Sequence, residues 1–301
     1  MNQSAESKIQ KLFDQSKLEI GFHARHLASG ATITRNPDAL FPTASVFKVP
    51  VMTEVYHQAS LGKFSLGDRI ALEDRHKTLS SGVIQTLAPG LTPTIRDLCV
   101  LMTIISDNTA TEILLERIGI ENVNRFMRVL GLDDIHVSFG VHQMFLHVWG
   151  LSPGAELGEV QRRSHLLPMD YESLTFARTP ESTTASARAM SELMAMLAER
   201  KIISDDASRD MINILRDQMH NNRVARYLPW GRVAHKTGSM RGLRNDAGVI
   251  QRSRDDRIAF ALFTFDDTDI PGGNSILLAK RDHLVDDLMA EVGLILWEDF
   301  R

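Results

Sequence analysis

Strand-like alternation of apolar and polar residues is confined to the two ends of this chain, and helical periodicity fills the interval between them. No other feature constrains the fold as strongly. Near the start, "KLEIGFHARHL" and "ATITRN" read as two strands joined through Ser29-Gly30, a hairpin. Far downstream, "GRVAHKTG", "NDAGVIQR" and "RIAFALFTF" read as three more. Residues 4–16 place Ile9, Leu12 and Phe13 at helical spacing, and "SILLAKRDHLVDDLMAEVGLILWEDF" closes the chain as a long helix. Between the ends, "SVFKVPVMTEVYHQAS", "TIRDLCVLMTII", "TATEILLERIG", "ENVNRFMRVLG", "SARAMSELMAMLAER" and "DASRDMINILRDQM" all carry helical spacing. Pro50 is tolerable only in the first turns of its helix. A sheet completed by segments distant in sequence, with a helical domain inserted, satisfies this order. The expected division is 1–44 with 225–301 as an α/β sheet domain, and 45–224 as a helical domain containing an extended loop at 141–182.

Several function classes fall away on composition. The 34 basic and 38 acidic residues leave a formal charge of −4, so no basic surplus calls for nucleic acid or an anionic membrane. Cys99 is the one cysteine, which excludes an internal disulfide and a thiolate metal cluster. Apolar runs such as "LCVLMTII" are too short to cross a bilayer. The first residues, "MNQSAESKIQKLFDQSK", lack the apolar core of a signal peptide. The expectation for the chain as written is therefore a cytosolic monomer, or a periplasmic or extracellular one if a leader has been removed.

Chemistry concentrates in three short segments. In "TASVFKVPV", Ser45 and Lys48 stand one helical turn apart at a helix start, where Lys48 can act on the serine hydroxyl. Ser-x-x-Lys alone is weak, since about one such match is expected by chance in a chain of this length. Ser60 and Lys63 supply a second match, with Gly62 between them at a helix end. Ser45 could equally be a helix cap. Ser106-Asp107-Asn108 lies between two helices and reads by itself as a cap cluster. Lys236-Thr237-Gly238 lies on a strand, with Ser239 following, where a lysine often only guards a sheet edge. All three in this order arise by chance on the order of once in a thousand such chains.

This set resembles that of the penicillin-recognising serine enzymes, and the class A β-lactamases most closely. The likeness runs from about residue 18 to 140 and again from about 182 to 300, and includes "RGLR" with Arg244. It implies a β-lactamase/transpeptidase-like α/β fold with an antiparallel sheet of about five strands flanked by helices. It also implies Ser45 as the acylated nucleophile, Lys48 as its base or proton relay, and Ser106 as proton donor to the leaving nitrogen. Asn108 would bind a substrate amide, and Lys236, Thr237 and Arg244 a carboxylate. The backbone amides of Ser45 and Ser239, beside Gly238, would stabilise the oxyanion. No metal or cofactor is called for.

The likeness fails at one place. The family's Glu-x-x-Leu-Asn pattern, which supplies the base for deacylation, is missing from residues 141–182. Alignment on "DYESLT" puts Tyr171 there, flanked by Asp170 and Glu172. Either one of these acids serves as the base, or neither does. The apolar Met144, Phe145, Trp149 and Leu151 in the same interval read as a small satellite core rather than a pocket cover. Three readings stay open: a class A-like hydrolase acting on a β-lactam or related amide or ester, a D-alanyl-D-alanine peptidase or carboxylesterase on the same fold, and a non-hydrolytic protein that binds β-lactams or muropeptides.

Overall fold

A computed structural model describes residues 3–155, 157–166, 169–266 and 275–301. The chain divides into two compact units, residues 1–46 with 185–301 and residues 47–184.

The first unit is built on a sheet. Helix α1 (Ala5–Ser16) is capped by the Ser4 hydroxyl and ends where Lys17 turns left-handed. Strands β1 (Glu19–His26) and β2 (Thr32–Arg35) form the first hairpin, and the short strand β3 (Leu40–Pro42) that follows lies outside the five-stranded sheet. The other long strands come from the far end of the chain, β6 (Val233–Met240), β7 (Leu243–Gln251) and β8 (Arg257–Phe265). The five-stranded order is β2-β1-β8-β7-β6, with every pair antiparallel.

Strand β8 is apolar almost throughout because both of its faces are covered. Ile258, Phe260 and Leu262 join Ile9 and Phe13 of α1 and Val285, Met289, Val292 and Leu296 of α10 (Ser275–Asp299) in one core. The small residues Ala259 and Ala261 alternate to the other face, where α8 (Ala187–Ala198) packs. Next to α8, α9 (Asp205–Arg216) lies along β6. Here the structure departs from the sequence expectation, which put residues 185–224 with the helical part. The buried face of α8, Met190, Leu193, Met194 and Leu197, fits the sheet. An amphipathic pattern shows that one face is buried but not against what.

The second unit is helical around α2 (Lys48–Ser60). That helix is buried on nearly every side by α3 (Ile95–Ile104), α4 (Asn108–Ile118) and α5 (Ile120–Val129). Pro50 occupies its third position, where its missing N–H leaves no bond unmade. Beyond the two-residue strand β4 (Ile135–His136), the interval expected as a loop contains α6 (Val141–Val148) and α7 (Leu157–Leu166). Phe145 and Trp149 stack at 5.5 Å and, with Leu151, pack against Leu146, Ala155 and Val160, a satellite core. Strand β5 (Thr184–Ser186) returns the chain to the first unit. Among the described residues no helix is long and apolar enough to cross a membrane.

Candidate active site

Each unit assembles its own part of the motif chemistry. Ser45 lies half-buried in a 3₁₀ turn, Ala44–Phe47, that runs directly into α2 at Lys48. The turn is closed by the Val46 amide donating to the Thr43 carbonyl at 3.1 Å. Ala44 holds φ at +44°, a left-handed conformation that a side chain resists by about 1–2 kcal/mol. Such strain persists only where the surroundings enforce it, and it gathers at functional sites.

Strand β6 is packed hard against this turn. A methyl group on Gly238 would come 2.5 Å from the Thr43 carbonyl oxygen and 3.1 Å from the Ser45 amide nitrogen. Only a residue without Cβ allows so close an approach. Lys236 and Thr237, the two preceding residues, are buried, and Ser239 is exposed. The Lys236 ammonium donates to the Thr237 carbonyl at 2.7 Å.

The same strand is held by a residue that sequence reasoning missed. Buried Arg223 donates to the Gly238 carbonyl at 2.8 Å, to the Asn245 carbonyl at 2.6 Å and to the Ser239 hydroxyl at 2.5 Å. Asp286 balances its charge at 2.9 Å. Burial lowers the Arg223 pKa from its ordinary value, and Asp286 opposes that shift. Arg244 is paired with Asp282, and its Nε lies 3.8 Å from Asp286. Burial raises the Asp282 pKa against the field of Arg244. His235 turns away from Lys236 by strand alternation and bonds Asp246 at 2.7 Å and Asn221 at 3.0 Å.

In the helical unit the structure joins Lys48, Ser106 and Asn108. Lys48 is fully buried, and its Nζ donates to the Ser106 carbonyl at 2.8 Å, the Ser106 hydroxyl at 3.1 Å and Asn108 Oδ1 at 2.7 Å. Three acceptors match the three protons of an ammonium. Ser106 reaches its position through a left-handed backbone, φ +59°. Desolvation lowers the Lys48 pKa to about 7, against the opposing fields of Asp107 and Glu112. Near neutrality Lys48 is thus both donor and free base. As an amine it keeps two protons and a lone pair, so the Ser106 hydroxyl can then donate to it.

The neighbours of Lys48 tie down its surroundings. Asp107 caps α4 through the Ala110 amide at 2.9 Å and accepts from the amides of Val83 at 2.7 Å and Ile84 at 2.9 Å. Asn108 Nδ2 donates to the Leu79 carbonyl at 2.8 Å. Glu112, also missed, accepts from the amides of Val141 and His142 and so fixes the start of α6. Burial raises its pKa, opposed by those two amides and by Lys48. The only sequence signal for Glu112 was an acid inside the apolar run "TATEILL", and "NNRVARYL" holds no pattern that marks Arg223.

Asp170 and Glu172 are exposed in the same unit, and the Glu172 amide donates to the Asp170 carboxylate at 2.9 Å. The second Ser-x-x-Lys match is surface structure: the Ser60 hydroxyl caps the His57 carbonyl at 2.7 Å, and Gly62 takes φ +72°.

Comparison with known proteins shows the family and the fold. The sequence model of the β-lactamase enzyme family matches residues 4–300. The β-lactamase regulatory protein BlaB of Streptomyces cacaoi is 23% identical, over 96% of this chain and 99% of its own. Among solved structures, the β-lactamase of Sphaerobacter thermophilus is 25% identical with a TM-score of 0.75, covering 97% of this chain and 95% of that one. PBP-A shares the fold at a TM-score of 0.76 and 21% identity, covering 98% of this chain and 95% of its own.

Proposed function

The chain belongs to the β-lactamase enzyme family, and from that premise we propose that it is a class A-type serine acyl hydrolase acylated at Ser45 by a β-lactam or a related amide or ester. The single observation that carries this reading is the state of Lys48, buried, bonded to Ser106 and Asn108, with a pKa of about 7. Neutral Lys48 takes the Ser45 proton as Oγ attacks the substrate carbonyl. The C–N bond then breaks, and the Ser106 hydroxyl passes its proton to the leaving nitrogen while Lys48, 3.1 Å away, replaces it. Lys236, Thr237 and Arg244 hold the substrate carboxylate, Asn108 its side-chain amide, and the amides of Ser45 and Ser239 the oxyanion. Water releases the acyl group, with Asp170 or Glu172 as base or with no base.

The exposure of Asp170 and Glu172 favours a second reading, in which deacylation is slow and the protein acts as a peptidase or a sensor. One relative carries the name of a regulatory protein. Benzylpenicillin or a chromogenic cephalosporin with intact-mass measurement separates the two. Fast turnover without a lasting adduct supports hydrolysis; an adduct that persists, and is lost in Ser45→Ala, supports the second reading. An adduct that survives Ser45→Ala removes Ser45 as nucleophile.

A further inference from the structure

A cavity of about 420 Å³ opens in the sheet unit, beside α9 and the first half of β6. Its floor includes Ala234 and Val249, partners across the β6–β7 ladder, and none of the motif residues lines it. Six arginines do: Arg200, Arg209, Arg216, Arg232, Arg254 and Arg257.

Two of the six are neutralised. Arg200 pairs with Asp205 at 2.9 Å, and Arg209 pairs with Asp205 and, at 3.2 Å, with Asp206. The remaining four carry uncompensated charge among the described residues. Arg216 donates to neutral amide oxygens, Asn213 at 2.8 Å and Gln251 at 3.2 Å. Arg257 donates to the Ala198 carbonyl, and its Nε is buried without an acceptor. Arg232 and Arg254 are exposed, and their side chains make no hydrogen bond or ion pair among the described residues. Of the two lining carboxylates, Glu199 already holds Lys201 at 2.8 Å, which leaves Asp255.

Four guanidiniums facing one uncommitted carboxylate is a large local excess in a chain of net charge −4. Like charges gathered in a concavity repel one another and focus a positive potential into it. The planar fork of a guanidinium matches the oxygens of a phosphate two at a time. The volume exceeds what a lone inorganic ion fills and lies within the usual range for small-molecule sites. We propose that this cavity binds a small phosphorylated metabolite carrying at least two negative charges.

Calorimetric titration of the full chain with sodium pyrophosphate at fixed ionic strength tests this, with sulfate as the comparison anion. The wild type and a Lys11→Ala control should bind pyrophosphate with the same submillimolar Kd, and sulfate at least tenfold more weakly. The Arg232→Ala/Arg254→Ala double variant, altered only at exposed positions, should keep its ligand-free Tm and bind pyrophosphate at least tenfold more weakly. The proposal is overturned if the wild type shows no saturable binding up to about 10 mM. Equal affinity in the wild type and the double variant, or sulfate binding as tightly as pyrophosphate, would overturn it as well.

Discussion

The acylation rate should depend on pH through Lys48, and the depressed pKa fixes how steeply. With a pKa of about 7, roughly half of the Lys48 side chains are free base at pH 7, about one tenth at pH 6 and about one hundredth at pH 5. An ordinary lysine at pH 7 would be free base in only about three molecules in ten thousand, so burial supplies a gain on the order of a thousandfold. The single-turnover acylation rate constant, measured by stopped flow with a chromogenic cephalosporin from pH 5 to 9, should rise tenfold per unit below 7 and then level. Circular dichroism at pH 5 checks that the chain stays folded. Asp107→Asn should move the rising limb to lower pH, since that carboxylate opposes the desolvation of Lys48. Lys48→Arg, which cannot release a proton, should abolish the step. A rate that is flat from pH 5 to 7, or that climbs only above pH 9, refutes the assignment of Lys48 as the base.

Three further outcomes follow from the same contacts. Unfolded Lys48 titrates near 10.5 and folded Lys48 near 7, so between those values the unfolded chain holds more protons and stability rises with pH. Between pH 7 and 9.5 urea unfolding should show the wild type gaining about 3 kcal/mol relative to Lys48→Met; parallel pH curves would contradict the burial argument. Gly238→Ala drives a methyl into the backbone of Thr43 and Ser45, and should lower stability by about 2 kcal/mol and slow acylation; an unaltered denaturation midpoint and rate would sink that packing claim. Arg223→Ala leaves the buried Asp286 carboxylate with the Asn222 amide but without its close cation and should cost about 3 kcal/mol by denaturant titration, whereas a loss within 0.5 kcal/mol would show that the pair holds nothing.

Legibility in the sequence followed locality. The strand hairpin at Ser29-Gly30, the helices α3 and α4 and the Ser106 turn between them all rest on spacing within a few residues, and they were readable. The joining of Lys48 to Ser106 and Asn108 crosses about sixty positions and was inferred from motif order, a resemblance rather than a physical derivation. Glu112 and Arg223 escaped because each acts through backbone groups distant in sequence, the amides at 141–142 and the carbonyls at 238 and 245. A backbone donor or acceptor leaves no trace in residue identity. The placement of α8 on the sheet and the helices α6 and α7 within 141–182 were missed for a related reason. Periodicity reports a buried face, and short amphipathic runs among glycines and prolines resemble loop.

Phe22 of β1 and Leu262 of β8 lie side by side in the sheet yet are separated by most of the polypeptide. During synthesis, at about 5–20 residues per second, β1 leaves the ribosome roughly ten to fifty seconds before its neighbour exists. For that interval Ile20 and Phe22, which end in the core, have nothing to pair with except the hairpin partner β2. Such a segment is a natural target for chaperones and for aggregation when expression is fast. Permuting the gene so that the two strands are made consecutively closes that interval, and should therefore raise the yield of folded protein while keeping the β1–β8 register of the finished sheet.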